Sequence, residues 1–425
     1  MKIKPIKQLK GVLNLPGDKS ISHRAIIFGS LAEGITEIKG FLMGKDCLST
    51  IQCFRQMGIP IDIHNEVIQI HGKGLDGLSA PVHSLDVGNS GTTIRLLSGL
   101  LSAQNFSSTI TGDHSIQKRP MKRIVEPLRQ MGALITGKEN GNFCPLHIKN
   151  STLTGIEYTL PVASAQVKSA LLLASLYANG TTTLIQPAYS RNHTEIMLNY
   201  FGGHVISKGL QIQSHPIDTL FPQKLFIPGD LSSASYFLAA ATIIPNSKLY
   251  LTNVGINPTR SGILTILKKM GAHIEILHPR TLCGEPVADL VVHSSTLQGT
   301  TIGGSIIPTL IDELPILAVA ACYAQGTTLI KDASELKIKE SNRIATMTQE
   351  LTKLGAHIQE TSDGMIIYGG HPIIGGIVES YKDHRVAMSL AIAGLGSKEG
   401  VEIHGSECID ISFPHFYHVL NELSS

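Results

Sequence analysis

A sixfold internal repeat is the feature of this sequence that most constrains its fold. A helix-ending phrase (QMG, FGG, KMG or KLG) recurs at intervals of 69 to 84 residues, at Gly58, Gly132, Gly202, Gly271 and Gly355. A second series of apolar, small-residue-rich helical patterns runs in step with it at spacings of 68 to 80 residues. These patterns begin at Ser20, Gly91, Ser164, Ser232, Asp312 and His384. Such a period indicates six copies of one supersecondary unit.

Each unit is predicted to contain strands and two helices, because short β-branched runs closed by Gly turns, such as GTTTLIQ and GTTLIKD, separate the helical patterns. A chain of 425 residues is long for one hydrophobic core. The stretch LPGDKSISHRA at 15–25 has a partial copy, IPGDLSSASYF, three units later at 227–237. We therefore predict an α/β protein of two similar three-unit domains, residues 19–226 and residues 1–18 with 227–425.

Composition narrows the classes of function. The net charge of +2 provides no global field for nucleic acid or an anionic membrane, and the absence of Trp disfavours stacking on single strands. No stretch has the length and apolar character of a membrane span, and the first residues lack the apolar run of a signal peptide. We expect a cytoplasmic protein that binds neither nucleic acid nor membrane. Six scattered cysteines without a CxxC pair argue against a zinc site or a disulfide framework.

The starts of the repeated helices are candidate anion sites, because the first turn of a helix leaves N–H groups unpaired and carries partial positive charge. The first start adds Lys19, Ser20 and Arg24, and it is not a Walker A loop. The second adds Asn89 and Gly91, followed by Arg119, which Pro120 holds in an extended conformation. Taken alone, each of these segments also fits a capped helix or a solvated basic surface.

The later helix starts add further candidates. Ser164 and Gln166 open the third helix, and Ser190 and Arg191 follow in AYSRNHTEIM. Helical spacing of apolar residues after KIKESNRI places acidic and basic side chains at or near a helix entrance: Lys339, Glu340 and Arg343. Asp312 and Glu313 precede the fifth helix, where a simple cap is the alternative interpretation. Arg385 lies in the first turn of the sixth helix, where it opposes the helix dipole, so we expect it to hold a carboxylate or phosphate.

Seven ordered motifs together resemble the EPSP synthase (3-phosphoshikimate 1-carboxyvinyltransferase) family. They are LPGDKSISHRA, GNSGTTIRLL, KRPM, SAQVKSALLLA, IDELP, KIKESNRI and YKDHRVAM. The resemblance implies an inverse α/β-barrel-like fold of two three-unit domains with the active site in the interdomain cleft. It also implies transfer of the enolpyruvyl group of phosphoenolpyruvate to the 5-hydroxyl of shikimate 3-phosphate, with release of phosphate, and no metal or organic cofactor. A monomer is the family-based expectation.

The resemblance also implies roles for individual residues. Glu340 is the expected proton donor to the methylene of phosphoenolpyruvate, Asp312 the base near the 5-hydroxyl, and Lys19 an ammonium shared between proton transfer and phosphate stabilisation. The residues expected around phosphoenolpyruvate are Lys19, Asn89, Gly91, Arg119, Gln166, Arg343 and Arg385. Those expected around shikimate 3-phosphate are Ser20, Arg24, Ser164, Gln166, Ser190, Arg191, Asp312 and Lys339. Ala165, between Ser164 and Gln166, is also expected to bind substrate.

The sequence departs from other members of the family at several positions. Ile411 stands where some relatives have a Lys that contacts phosphoenolpyruvate, Asn342 where some have Asp, and Glu335 where some have Asn. Ala165 replaces a Ser. These changes resemble a divergent branch of the family, and they leave open the affinity for phosphoenolpyruvate mimics such as glyphosate.

Two alternatives remain at this point. UDP-N-acetylglucosamine enolpyruvyl transferases share the architecture and the donor substrate but use a loop Cys, for which Cys144 is the one loop-like candidate in the sequence. A non-catalytic repeat scaffold that binds a phosphorylated ligand or RNA would use the cations. It would have no need of two acid/base carboxylates, so Lys19, Asp312 and Glu340 together favour an enzyme.

Overall fold

The computed structural model describes residues 1–423 and separates by contacts into two units. The N-terminal unit is Gly17–Ile227 together with the short turn Leu282–Glu285. The C-terminal unit consists of Met1–Pro16, Pro228–Thr281 and the chain from Pro286 onward. The predicted boundaries, 19–226 and 227–425, lie within two residues of these limits apart from the turn. Whether the units are separate folding domains stays a prediction.

Helices of the N-terminal unit come in pairs along the chain, with one additional single turn, α5, in which Glu139 and Asn140 have positive φ. They are α1 (Lys19–Leu31), α2 (Lys45–Gln56), α3 (Gly91–Leu101), α4 (Lys122–Gln130), α5 (Lys138–Gly141), α6 (Ala165–Ser175) and α7 (His193–Tyr200). The C-terminal unit repeats the paired arrangement with α8 (Leu231–Ile243), α9 (Gly262–Lys269), α10 (Leu314–Tyr323), α11 (Arg343–Lys353), α12 (His384–Leu395) and α13 (Phe416–Leu423).

The strands are 2 to 10 residues long and lie between the helices in runs of one to three. Those that precede Pro228 are β1 (Lys2–Ile3), β2 (Lys10–Asn14), β3 (Glu33–Lys39), β4 (Ile61–His64), β5 (Val67–Lys73), β6 (Leu85–Asp86), β7 (Ser108–Thr111), β8 (Leu134–Gly137), β9 (Phe143–Lys149), β10 (Glu157–Thr159), β11 (Thr182–Ile185), β12 (Val205–Lys208), β13 (Gln211–Ser214) and β14 (Lys224–Phe226). Those that follow are β15 (Lys248–Gly255), β16 (His273–Leu282), β17 (Glu285–His293), β18 (Thr301–Ile302), β19 (Thr327–Ile330), β20 (His357–Glu360), β21 (Met365–Tyr368), β22 (Gly376–Glu379) and β23 (Val401–His404).

Six small sheets lie within residues 1–423, and five of them share one four-stranded topology, while the sixth has three strands. Their strand orders are β14-β3-β5-β4, β6-β7-β9-β8, β10-β11-β13-β12, β16-β17-β15-β2, β18-β19-β21-β20 and β1-β23-β22. Each sheet contains one parallel pair, namely β14/β3, β6/β7, β10/β11, β2/β15, β18/β19 or β22/β23. The sequence repeat thus corresponds to a repeated strand and helix unit, as predicted, with three sheets in each unit.

The repeated helices α1, α3, α6, α8, α10 and α12 are buried almost all round, which explains their apolar and small-residue composition. Their partners are amphipathic. In α11, for example, Ile344, Met347, Leu351 and Leu354 are all fully buried at the predicted helical spacing. Each unit has its own contiguous hydrophobic core. Over residues 1–423, none of the helices combines the length and the apolar character that crossing a membrane requires.

Candidate active site

Lys19 is the first residue of α1, which therefore begins one residue before the start predicted at Ser20. Asp18 caps this helix, and its Oδ1 accepts a hydrogen bond from the backbone amide three residues later at 2.9 Å. The Lys19 Nζ lies 2.5 Å from Oδ2 of Asp46, a buried carboxylate in the first turn of α2. The sequence did not indicate this partner, because nothing in its spacing relates the two helices. Asp46 therefore fixes the ammonium of Lys19 at the start of α1.

Arg24 lies one turn further along α1 and is buried among neutral acceptors. Its guanidinium donates to Oγ1 of Thr194 at 2.7 Å, to Oγ of Ser169 at 2.7 Å and to the carbonyl of Ser20 at 2.9 Å. Burial lowers the pKa of Arg24 to about 10; nearby carboxylates oppose this, and the charge of Arg191 adds to it. The side chain still carries its charge near neutral pH, in an environment suited to an anion.

Asn89 and Arg119 form a second cluster at the start of α3. The Asn89 side chain donates to Oδ2 of Asp113 at 2.8 Å and accepts from Nη2 of Arg119 at 3.1 Å. Arg119 has the extended backbone predicted for a residue before proline, with φ −83° and ψ 133°. A Cβ atom at Gly91 would lie 2.9 Å from Nη1 of Arg119. Glycine at this position thus lets the guanidinium of Arg119 lie close to the helix start, and a larger residue would require the arginine side chain to shift.

Ser164, Ala165 and Gln166 lie at the start of α6, in the predicted place. The Ser164 hydroxyl caps the helix by accepting from the backbone amide three residues later at 3.4 Å. The Gln166 Oε1 accepts a short hydrogen bond from Nη1 of Arg95, and its Nε2 donates to Oγ1 of Thr92 at 3.3 Å. Arg95 and Thr92 belong to the corresponding helix α3 of the preceding repeat, so Gln166 joins two helix starts.

Ser190 and Arg191 lie just before α7. The Ser190 hydroxyl donates to Oε1 of Gln186 at 2.9 Å, and its carbonyl accepts from Nζ of Lys168 at 3.2 Å. Lys168 is fully buried and pairs with Glu195 at 2.7 Å. These contacts fix the backbone at Ser190, while Arg191 is only half-buried.

The C-terminal unit brings both predicted carboxylates to one guanidinium. Arg343 is the first residue of α11 and is buried. Its Nη2 lies 2.6 Å from Oε2 of Glu340, and its Nη1 lies 3.4 Å from Oδ1 of Asp312. The Nζ of Lys339 lies 3.5 Å from the same Asp312 oxygen. Burial alone would lower the pKa of Arg343, but Asp383 and Glu340 outweigh it and raise this pKa above its usual value.

Arg385 lies in the first turn of α12, as predicted, and approaches the same aspartate. Its Nη1 donates to the carbonyl of Asp312 at 3.1 Å, and its Nη2 lies 3.9 Å from the Asp312 carboxylate. Glu313 is a further neighbour, at 3.6 Å. Burial alone would lower the pKa of Arg385, but Asp312, Tyr236 and Glu313 outweigh it and raise this pKa.

Asp383, which immediately precedes α12, lies at the site although it is not one of the candidates named from the sequence. Its side chain caps α12 by accepting from the Arg385 amide at 3.0 Å. It also accepts a bidentate pair of hydrogen bonds from Arg343, from Nε to Oδ2 at 2.8 Å and from Nη2 to Oδ1 at 3.1 Å. Asp383 is fully buried, and its pKa is lowered because the attraction of Arg343 outweighs burial, which would raise it. It therefore sets the position of the guanidinium that both carboxylates contact.

The start of the fifth repeated helix differs from the prediction. α10 begins at Leu314 rather than Asp312, and Glu313 provides no side-chain cap. Instead, Glu313 accepts a short hydrogen bond from Ser232, and Asp312 contacts the cations described above.

Ile411, the position of the missing family lysine, ends a short 3₁₀ helix and packs against the core of the C-terminal unit.

The predicted residues thus form two groups, each within one unit. The cationic half-site, in the N-terminal unit, comprises Lys19, Ser20, Arg24, Asn89, Gly91, Arg119, Ser164, Ala165, Gln166, Ser190 and Arg191. The carboxylate half-site, in the C-terminal unit, comprises Asp312, Lys339, Glu340, Arg343 and Arg385. Both lie at helix starts or immediately before them, where backbone N–H groups can add to the binding of anions.

The chain is similar to known proteins in both sequence and fold. The family model described as "EPSP synthase (3-phosphoshikimate 1-carboxyvinyltransferase)" matches residues 3–420. The chain belongs to the EPSP synthase family. A 3-phosphoshikimate 1-carboxyvinyltransferase of Thermoanaerobacter sp. (strain X514) is 53% identical over 423 residues, covering 100% of both chains. One from Bacillus subtilis (strain 168) is 51% identical, covering 100% of this chain and 99% of the other.

A solved structure agrees with the family assignment. EPSP synthase from Acinetobacter baumannii superposes with a TM-score of 0.89 at 45% identity, covering 99% of this chain and 97% of the other. The predicted fold class is confirmed by this match to an EPSP synthase structure. The predicted activity is confirmed by the family: the chain transfers an enolpyruvyl group from phosphoenolpyruvate to shikimate 3-phosphate in the shikimate pathway.

Proposed function

We propose that the two half-sites of this EPSP synthase family member serve one reaction, with Glu340, Asp312 and Lys19 as its acid/base groups. Glu340 gives a proton to the methylene carbon of phosphoenolpyruvate, which makes C2 electrophilic. Asp312 takes the proton of the 5-hydroxyl as its oxygen forms a bond to C2. The tetrahedral adduct then returns a proton from the new methyl group to the Glu340 carboxylate. The C2–O bond to phosphate breaks at the same time, and phosphate leaves with its charge stabilised by the Lys19 ammonium.

The observation that carries this proposal is the position of two carboxylates on one buried guanidinium. Glu340 and Asp312 lie 2.6 Å and 3.4 Å from different nitrogens of Arg343. Proton transfer to the methylene carbon and from the 5-hydroxyl, two atoms that are both bonded to C2 in the tetrahedral adduct, needs two such groups held a few ångströms apart. Asp383 holds the guanidinium through Nε and through Nη2, the nitrogen that also contacts Glu340, and so fixes the position of the guanidinium between the two carboxylates. A protein that only binds phosphate has no need of this arrangement.

The cations have the complementary role of binding the two anionic substrates. We place phosphoenolpyruvate against Lys19, Asn89, Gly91, Arg119, Gln166, Arg343 and Arg385. We place shikimate 3-phosphate against Ser20, Arg24, Ser164, Gln166, Ser190, Arg191, Asp312 and Lys339. Arginine is well suited to this task because its planar guanidinium matches carboxylate and phosphate in two-pronged contacts. A monomeric state and a cytoplasmic location stay predictions.

The position of Cys144 disfavours UDP-N-acetylglucosamine as the acceptor. Enolpyruvyl transferases that use this acceptor carry a catalytic cysteine in a loop. Cys144 lies in strand β9 and is buried, with 2% of its surface exposed. Burial raises the pKa of this thiol above its ordinary value, which disfavours the reactive thiolate. Neither feature suits a catalytic cysteine in a mobile loop.

The test is release of phosphate from phosphoenolpyruvate by the purified chain, with shikimate 3-phosphate or UDP-N-acetylglucosamine as acceptor. We expect release only with shikimate 3-phosphate. Glu340→Gln should reduce turnover by about 10²–10⁴-fold and should equally reduce uptake of solvent deuterium at the methylene carbon. Glu360→Gln, at an exposed position that ends β20, is the matched control and should leave both rates unchanged. Deuterium uptake that survives in Glu340→Gln would assign the proton donor elsewhere.

A further inference from the structure

Three side chains on the surface of the C-terminal unit direct their ligand atoms to one point. His273 and Glu275 lie two residues apart on β16 and thus on the same face of the strand, and His293 ends the neighbouring strand β17. The Glu275 Oε1 lies 3.6 Å from Nε2 of His273 and 3.3 Å from Nε2 of His293. The two imidazole rings are stacked, with centroids 4.7 Å apart and planes inclined by 18°.

We propose that His273, Glu275 and His293 form a surface site for a divalent transition metal, with Zn²⁺ as the expected ion. All three ligand atoms lie within 4.8 Å of one another. In a tetrahedral zinc site with bonds of about 2.0–2.2 Å, ligand atoms lie about 3.3–3.5 Å apart. The two measured nitrogen-to-oxygen distances are close to that spacing, so an ion can be accommodated with small side-chain rotations.

The donor set also determines which class of ion fits. Two imidazoles and one carboxylate suit zinc, nickel or copper, whereas calcium and magnesium prefer sites made of oxygen alone. The side chains of His273 and Glu275 are 62% and 45% exposed, so water can occupy a fourth coordination position. Lys248, which pairs with His293 across β15 and β17, is an exposed cation on the neighbouring strand. Its charge weakens the site without blocking it.

Other histidine pairs on the chain provide an internal contrast. His204 and His215 stack with centroids 4.5 Å apart, and His357 and His371 stack at 4.1 Å. Over residues 1–423, only the His273 cluster has three converging ligand atoms. His404 contacts two carboxylates, but it does so through opposite ring nitrogens, Nδ1 at 3.0 Å and Nε2 at 3.5 Å. These therefore do not converge on one ion.

The consequence of binding is a clamp on the strand pair. His273 begins β16 and His293 ends β17, so one ion bound to both would tie together the ends of these strands that are far from their connecting turn. β16 is an edge strand of its sheet and pairs with a neighbouring strand on one side only. An additional link to β17 should therefore stabilise it. The site contains none of the residues of the two half-sites, so turnover should not depend on the ion.

The experiment is calorimetric titration of the tag-free, full-length chain with Zn²⁺, followed by the absorption spectrum of its Co²⁺ form. We expect one site per chain, a higher thermal midpoint with Zn²⁺, and tetrahedral Co²⁺ bands without a thiolate charge-transfer band. His273→Ala and His293→Ala should each weaken binding by about 10–100-fold or more, because loss of even an outer partner of a ligand has that effect. His357→Ala is the matched control and should bind like the parent chain.

Two results would overturn the proposal. The first is absence of binding, or binding that His293→Ala leaves unchanged. The second is a site that is lost in Cys283→Ser, since this half-buried cysteine is the thiol ligand most accessible to an added metal. Because the substituted histidines lie on the surface, the metal-free variants should unfold at the same temperature as the parent chain. This comparison separates loss of the site from loss of the fold.

Discussion

The two helices that follow the repeated Pro-Gly-Asp sequence, α1 and α8, begin alike and then differ in what surrounds their first turns. Both are capped by aspartate, Asp18 in α1 and Asp230 in α8. In α1 the buried Arg24 has neutral hydrogen-bond partners. In α8 the corresponding position is Tyr236, which packs edge-on against Phe416 at 5.8 Å.

The first turn of α8 is neutralised from within its own unit. Arg260 is buried, and its Nη2 lies 2.6 Å from Oδ1 of Asp230 and 2.5 Å from the hydroxyl of Ser232. Glu313 accepts from the same hydroxyl. Leu231, which replaces Lys19 of the first copy, is buried with 1% of its surface exposed. The two helix starts thus differ in their partners. At α1, Lys19 pairs with Asp46 and the hydrogen bonds of Arg24 go to neutral atoms, whereas at α8 one arginine contacts the capping aspartate itself.

The largest expected effect separates the two copies directly. Lys19→Ala should lower turnover by about 10²–10⁴-fold, because it removes an ammonium proposed to act in proton transfer and phosphate stabilisation. Leu231→Ala should leave turnover per folded molecule near the parent value and lower the free energy of unfolding by about 2–5 kcal/mol. Phosphate release and urea unfolding measure the two quantities. Equal losses of turnover in both variants would contradict the division of roles.

The next largest effect tests the ion pair of Arg260 with Asp230, the residue that caps α8. Arg260→Met should lower the free energy of unfolding by about 3–5 kcal/mol, because it leaves the Asp230 carboxylate buried without its cation. Chemical denaturation measures this change. Arg24→Met removes the buried arginine of the first copy, although it is not at the equivalent position, and it should mainly weaken binding of shikimate 3-phosphate. A stable Arg260→Met variant with impaired substrate binding would assign Arg260 to the active site and remove the contrast.

The repeat made much of this architecture predictable, because a period of about 70 residues determines both the unit and the number of units. Five of the six predicted helix starts agree with the structure to within one residue, since capping residues and apolar patterns are local signals. The fifth start was wrong by two residues: the carboxylates of Asp312 and Glu313 contact distant partners, and Glu313 provides no side-chain cap to α10. Local sequence cannot reveal such a long-range partner.

Contacts between distant helices account for the site residues that the sequence did not indicate. The ion pair of Lys19 with Asp46 joins α1 to α2, and that of Arg343 with Asp383 joins residues 40 positions apart. Neither spacing follows helical or strand periodicity, so no pattern in one sequence marks it. Arg95 and Gln166, in contrast, are separated by one repeat. Comparing equivalent helix starts would have suggested that contact.

A third aspartate cap, Asp383 of α12, extends the comparison. Asp230 uses its charge to neutralise a structural arginine, whereas Asp383 holds Arg343 against both proposed acid/base carboxylates. Asp383→Asn should lower kcat/KM by about 10–100-fold, the equivalent of one charge-assisted hydrogen bond. Steady-state kinetics with phosphoenolpyruvate as the varied substrate measures this loss. If Asp383→Asn lowered stability and left kcat/KM unchanged, Asp383 would be a purely structural cap like Asp230.

The smallest expected effect is a difference in pH dependence between the two copies. His23 in α1 is fully buried, and its Nδ1 lies 2.7 Å from Oγ1 of Thr50, whereas the corresponding residue of α8 is Ser235. Burial lowers the pKa of His23 well below 6.5, and the charges of Lys19 and Arg24 lower it further, while Asp18 opposes them. The folded protein therefore keeps this ring neutral at pH values where the unfolded chain protonates it.

The sign of the effect follows from that difference. Above the unfolded pKa neither state binds the proton, and below it only the unfolded state does, so acid favours unfolding. His23 should thus cost about 1.4 kcal/mol of stability for each pH unit below about 6.5, until the lowered folded pKa is reached. Replacing His23 with the residue of the second copy, His23→Ser, should remove this component, whatever the substitution does to stability near neutral pH. Urea unfolding of both proteins at about pH 7.5 and about pH 5.5 measures the two slopes. If the parent chain and His23→Ser had identical slopes, the folded protein would protonate His23 over the same pH range as the unfolded chain. The start of α1 would then tolerate an additional buried cation in acid.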